Sequence, residues 1–158
     1  MMKSEEIREK LKPIYEELEQ NMTKGDLQAN FKHLHSDCVI VQKGKEAYYG
    51  KEQIGNKMKS FFQEHQPKNI KRSKAVYYGC ECCICVSVEV SFDTPKGPAK
   101  VDEHHIWRKE NNDWKLYHIE YEMTWTDGRT DGRTFKSEGS QLVRAKMPSV
   151  AVWKMVGY

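Results

Sequence analysis

Between residues 75 and 92 the chain runs with a period of two. The even positions from 76 read Val, Tyr, Cys, Cys, Ile, Val, Val, Val and Phe, and the odd positions from 75 read Ala, Tyr, Gly, Glu, Cys, Cys, Ser, Glu and Ser. Successive side chains of an extended chain point to opposite faces, so this alternation predicts one long strand with an apolar face and a mostly polar reverse. Gly79 marks a bulge at which so long a strand bends. "DTPKGP" at 93–98 then has the composition of a turn. "KVDEHHIWRK" is a returning strand, "ENND" a second turn and "WKLYHIEYEMTW" a third strand. Strands joined by such short turns form an antiparallel meander.

The residues before this meander follow a different period. Ile7, Leu11, Ile14, Leu18 and Met22 recur at steps of three and four, the stripe of an amphipathic helix. Pro13 lacks the N–H that an interior turn needs, so the helix is expected either to kink there or to begin in earnest near Lys12. Gly25 stops this helix and Asp26 caps a short second one with Leu27, Phe31 and Leu34 on its apolar face. "CVIVQ" at 38–42 is a short strand. "YYGKEQIGNKMKSFFQEH" places Ile54, Met58, Phe61 and Phe62 at helical spacing, a third helix. Helices first and an antiparallel sheet after them define the α+β class.

At 158 residues the chain is long enough to bury a core as one domain. No apolar run approaches the roughly 20 residues of a membrane span, and no membrane partner is expected. The opening "MMKSEEIREKLKPIYEEL" is charged throughout, so a secretory signal is not expected. Five cysteines without such a signal imply free thiols in a reducing compartment, hence a cytoplasmic protein. The net charge of +3 resides in the last 35 residues, where six Lys/Arg face three Asp/Glu. That surplus is too small for the dense basic stripe of a nucleic-acid binder. "KNIKRSK" at 68–74 reads as a solvated loop. The division is thus a domain over 1–124 and a basic extension over 125–158. The extension carries a tandem TDGR duplication with turn chemistry, and closes on "SVAVWKMVGY", which can add an edge strand or dock onto a partner.

Three segments together resemble the nuclear transport factor 2-like superfamily in its SnoaL-like branch. They are "NMTKGDLQANFKHLHSDCVIV", "YYGKEQIGNKMKSFF" and "EHHIWRKENNDWKLYHIEY", in that order, within a match over roughly 8–124. The third also resembles the association domain of calmodulin-dependent kinase II, from the same superfamily. The resemblance implies a cone, a strongly curved antiparallel sheet wrapped around three N-terminal helices and open at one end. It also implies homodimers paired through the outer face of the sheet, and a pocket in the opening. The superfamily includes ketosteroid isomerase, which uses a carboxylate base with a tyrosine and a neutral aspartic acid as oxyanion donors. On the Gly25–Asp26 and Asp37 landmarks the base position falls near Lys43 and the aspartate position at His104 or His105. Tyr15 lies two residues further from Gly25 than the family's tyrosine. That catalytic set is not reproduced.

Other residues can still converge on a pocket. If Trp107 points inward, Glu103 and His105 point inward with it, and Tyr117, Ile119 and Tyr121 share a face on the next strand. With Tyr15 from the first helix, the pocket residues are Tyr15, Glu103, His105, Trp107, Tyr117 and Tyr121. The expected function is binding of a small, partly apolar molecule. Catalysis is left open, with His105 as candidate base beside Glu103. Two alternatives stand next to it. One is an isomerase, dehydratase or hydrolase using His105. The other is an association module with a vestigial pocket. No cofactor is implied.

A metal is not expected either. His33 and His35 do not share a helical face, His104 and His105 point to opposite faces of a strand, and His118 lies on another. "CECCIC" at 80–85 holds four cysteines in six positions. On a strand, Cys80 and Cys82 join the face of Ile84 and Val86 as small core residues. Cys83 and Cys85 then lie on the reverse, where a dimer partner can cover them. No strand can wrap all four sulfurs round one ion.

Overall fold

The computed structural model describes residues 1–126. The TDGR duplication beyond Thr126, the closing "SVAVWKMVGY" and nearly all of the proposed extension lie outside the described residues.

Helix α1 runs from Ser4 to Lys24 and buries Ile7, Leu11, Tyr15 and Leu18. Pro13 neither ends nor starts it: the residue lies inside the helix on its exposed side. Gly25 closes the helix in the left-handed conformation at φ 75°, donating its N–H to the Met22 carbonyl. The expected second helix is a single 3-10 segment, Gln28–His33, entered by a hydrogen bond from the Ala29 N–H to Asp26. Strand β1, Leu34–Gln42, follows directly, so Leu34 is a strand residue. A short β2, Glu46–Tyr49, turns back on it before helix α2, Gly50–His65. Gly55 of α2 is where the 3-10 segment docks: a Cβ there would stand 2.3 Å from the Phe31 ring.

The remaining strands are β3 (Lys68–Gly79), β4 (Cys83–Thr94), β5 (Gly97–Glu110) and β6 (Asp113–Trp125). They form one six-stranded, curved and unclosed sheet in the order β2-β1-β6-β5-β4-β3. The chain is α+β, helices first. Two sequence expectations are corrected. The run from 75 to 92 is not one strand but the two arms of a hairpin, and the "KNIKRSK" loop is the first half of its leading arm. The sheet is also not wholly antiparallel, because β1 pairs with β6 in parallel, Ile40 opposite Ile119.

The hairpin escapes detection because its turn is written in residues that continue the alternation. A register shift between Ser73 and Val76, with Lys74 at φ 54°, turns the faces of β3 over. Ile70 and Arg72 face the helices before the shift and Tyr77 after it. Val76 and Tyr78 are left outside, 57% and 53% exposed. On β4 the expected face holds: Ile84, Val86, Val88, Val90 and Phe92 are all buried. At the β5–β6 turn Asn111 and Asn112 both adopt positive φ, 52° and 68°, as a two-residue hairpin loop requires.

Candidate functional site

Strand β5 crosses the inside of the sheet and alternates as expected. Trp107 is 0% and His105 4% exposed, with Glu103 half-buried beyond them. Helix α1 lays Tyr15 across this row. The Trp107 Nε1–H donates to Tyr15 Oη at 3.1 Å, Tyr15 Oη is 2.7 Å from His105 Nδ1, and His105 Nε2 is 2.9 Å from Glu103 Oε2. The rings pack as well as bond, Tyr15 edge-on to Trp107 at 5.4 Å and stacked on His105 at 5.8 Å between centroids.

The proton positions follow from this chain. An indole N–H can only donate, so Tyr15 Oη accepts from Trp107. Burial pushes the Tyr15 phenol well above its ordinary pKa, against the Trp107 hydrogen bond and the Arg72 charge, so the phenol keeps its proton. Tyr15 therefore donates to His105 Nδ1. His105 Nε2 carries a proton and donates it to the Glu103 carboxylate. Each group from Trp107 to Glu103 has its partner, and the polarity of the chain points toward the carboxylate.

Burial pushes the Glu103 carboxyl up, but the hydrogen bond from His105, helped by the Arg72 charge, outweighs it and holds the group below the usual carboxylate range. A carboxyl lowered on folding binds fewer protons in the folded state. Its stabilisation is therefore complete above the ordinary value near 4.5 and is lost as pH falls through the folded value. Glu103→Gln is expected to flatten the fall of the melting temperature below about pH 5. Melting curves of both proteins from neutral pH into the acid range check this.

The cluster borders a cavity of about 180 Å³. Its walls are mostly apolar, with Leu34 and Ile40 from β1, Met58, Phe61 and Phe62 from α2, and Val90, Val101 and Ile119 from the sheet. Besides Tyr15, Glu103 and His105, the polar side chains on it are Asn30, Lys57, Arg72 and Tyr121. Asn30 is buried and occupied, bonded to Asn21 and to the Leu18 carbonyl. Lys57 reaches Gln42 at 3.3 Å.

Two of the six expected pocket residues stand elsewhere than on the cavity wall. Trp107 lies behind Tyr15 and supports it. Tyr117 is on the opposite face of the sheet, against His35 at 5.2 Å and under the Arg108 guanidinium at 4.6 Å. The cause is a bulge: Ile106 pairs with His118 and Trp107 with Leu116, so Tyr117 is the extra residue and Leu116 takes its inward place. Lys43, at the family's base position, is exposed at the end of β1 and ion-paired with Glu122 at 3.5 Å. His104 faces outward and meets Ser87 Oγ at 2.9 Å.

Arg72 is the residue the sequence reading missed. Its guanidinium lies 4.4 Å from the centre of the Tyr15 ring and its Nη1 3.1 Å from Glu19. The signal was present: Ile70 and Arg72 share a strand face, which a solvated loop does not require.

Neither a protein-family profile nor a curated protein's sequence matches the chain. Solved structures do match its fold. An NTF2-like protein from Cytophaga hutchinsonii ATCC 33406 superposes with a TM-score of 0.61 at 14% identity, over 72% of this chain and 95% of that one. This chain has the NTF2-like fold. Aln2 from a Streptomyces species matches the NTF2-like chain with a TM-score of 0.65 at 11% identity, over 77% and 93%. The CaMKII hub of S. rosetta matches at 0.53 and 17%, over 73% and 95%. At such identities what is shared is the NTF2-like fold, and fold alone carries no function.

Proposed function

We propose that this NTF2-like chain binds one small molecule with an apolar body and a single polar end. The cavity carries the reading: its walls are apolar apart from polar groups that include Tyr15, Arg72, Glu103 and His105. Its volume of about 180 Å³ suits one ring or a short branched chain, since apolar cavities of about 150 Å³ take up benzene. Glu103 is the terminus of the hydrogen-bond chain and the carboxylate on the cavity, so it receives the donor end of the ligand. His105 has both ring nitrogens committed, one to Tyr15 and one to Glu103. That speaks for a positioning role over an isomerase, dehydratase or hydrolase with His105 as base. The open space in the cavity speaks against a vestigial pocket.

Native mass spectrometry of freshly purified protein, followed by calorimetric titration with phenol and indole, tests the reading. Val101→Phe adds bulk to a buried wall residue and is expected to weaken uptake by about tenfold or more, a loss of about 1.4 kcal/mol or greater. Equal affinity in wild type and variant would place the ligand elsewhere. No binding by wild type, and no co-purified molecule, would count against the pocket.

Homodimerisation through the outer sheet has its own support. Tyr78, Cys85, Ile106, His118, Val39 and Tyr49 stand in register across all six strands. An outward row this long and this apolar is the kind of surface that self-association covers. Sedimentation velocity is expected to give a dimer for the wild type and a monomer for Ile106→Lys. Fast labelling of Cys85 by a thiol reagent in the native protein would contradict the cover.

A further inference from the structure

The β3–β4 turn carries chemistry that the cavity does not use. Cys80 and Cys82 stand on it with their Sγ atoms 3.0 Å apart, Cys80 half-exposed and Cys82 exposed. The turn holds them there. A Cβ on Gly79 would lie 2.4 Å from the Cys83 carbonyl oxygen and 2.8 Å from Ile84 Cα, so only glycine lets the two arms close this tightly. The Cys80 N–H then donates to the Cys83 carbonyl at 2.9 Å, and the Gly79 carbonyl accepts the Met2 N–H at 3.1 Å. The second bond brings the N-terminus alongside the turn.

The two sulfurs are not equivalent. The Cys82 thiol, then the backbone N–H groups of Cys82 and Cys83, and more weakly the terminal amine, hold the Cys80 thiol below its usual range. The same contact raises Cys82. Burial raises Cys38 and Cys83. Cys80 is thus the activated sulfur, partly exposed and with backbone N–H groups turned toward it, a setting that reactive cysteines share. Its neighbour is already positioned to resolve: the pair needs to close from 3.0 Å to the about 2.05 Å of a disulfide. A bridge between residues two apart closes a very short loop and removes little chain entropy, so nothing makes it a permanent staple.

We propose that Cys80 and Cys82 form a reversible dithiol–disulfide site that exchanges with low-molecular-weight disulfides such as glutathione disulfide, Cys80 attacking and Cys82 resolving. The Cys80 thiolate attacks one sulfur of the small disulfide, forming a mixed disulfide and releasing one thiolate. Cys82 gives up its proton, its sulfur attacks Cys80 Sγ, the mixed disulfide breaks and the second thiolate leaves. Two protein thiols are oxidised by two electrons, the small disulfide is reduced to two thiols, and the two protein protons end on the released thiolates. A small dithiol drives the reverse.

The test uses the full chain, reduced, freed of reductant, incubated with glutathione disulfide, quenched in acid and alkylated. The wild type is expected to lose two hydrogens without retaining glutathione, and peptide mapping to place the bond between Cys80 and Cys82. Cys82→Ser is expected to stall with one glutathione on Cys80, and Cys80→Ser to react several-fold more slowly than Cys82→Ser. A wild type that keeps all five cysteines alkylated, or a bridge mapped to Cys83 and Cys85, overturns the proposal. Equal rates of glutathione uptake by the two serine variants overturn the assignment of Cys80 as the attacking thiol.

Discussion

Trp107→Ala is expected to lower the folding free energy by about 3–5 kcal/mol, the cost of truncating a fully buried aromatic. The indole is 0% exposed and packs where α1 meets β4, β5 and β6. Its loss opens a hole beneath Tyr15 and takes away the donor that fixes the phenol oxygen. Equilibrium urea denaturation should show the midpoint falling with an unchanged slope. Trp107→Phe keeps a ring and loses the N–H, so it should fall between wild type and alanine. A Trp107→Ala protein as stable as the wild type would mean that the indole is not the keystone of this corner.

His105→Leu is the second large effect, and it separates packing from hydrogen bonding. Leucine fills much of the space but strands two groups. The Tyr15 hydroxyl loses its acceptor and the Glu103 carboxylate its donor. The orphaned buried Tyr15 hydroxyl costs about 1–3 kcal/mol and the half-buried Glu103 carboxylate less, so a loss of about 2–4 kcal/mol is expected. With His105 gone, the main influence holding the Glu103 carboxyl down is removed, and burial pushes it up. The variant should therefore gain less stability with rising pH through the range where that carboxyl ionises, a shallower slope than the wild type's. Adding Glu103→Gln removes the stranded charge and should recover part of the loss. A double-mutant cycle in denaturant measures the coupling, and additive effects would contradict a shared hydrogen-bond chain.

Most of the fold lay in local patterns. The α1 stripe, the Gly25 stop, the apolar face of β4 and the turns at 95–96 and 111–112 each follow from residues within a few positions of one another. The inward row of β5 followed only on the condition that Trp107 points inward, because alternation needs one fixed residue. Glu103 and His105 followed. What misled was also local. The β3–β4 turn is built of cysteines and a glutamate in place of the usual turn residues, so the alternation ran straight through it. The bulges at Ser73–Val76 and at Tyr117 insert residues without any change in composition.

The sequence by itself determined the helix-then-sheet order, the buried face of β4 and that Glu103, His105 and Trp107 share one face of β5. These depend on periodicity, and periodicity is carried by the chain alone. The tertiary structure decided the parallel seam between β1 and β6, the approach of Tyr15 to His105 across 90 positions, and the placing of Arg72 over the Tyr15 ring. It also brought Cys80 against Cys82. Each of these is a contact between segments, or within a turn, whose partner is chosen by how the sheet curves and where its bulges fall. A bulge shifts every later side chain to the other face, so one inserted residue settles which groups meet at the cavity.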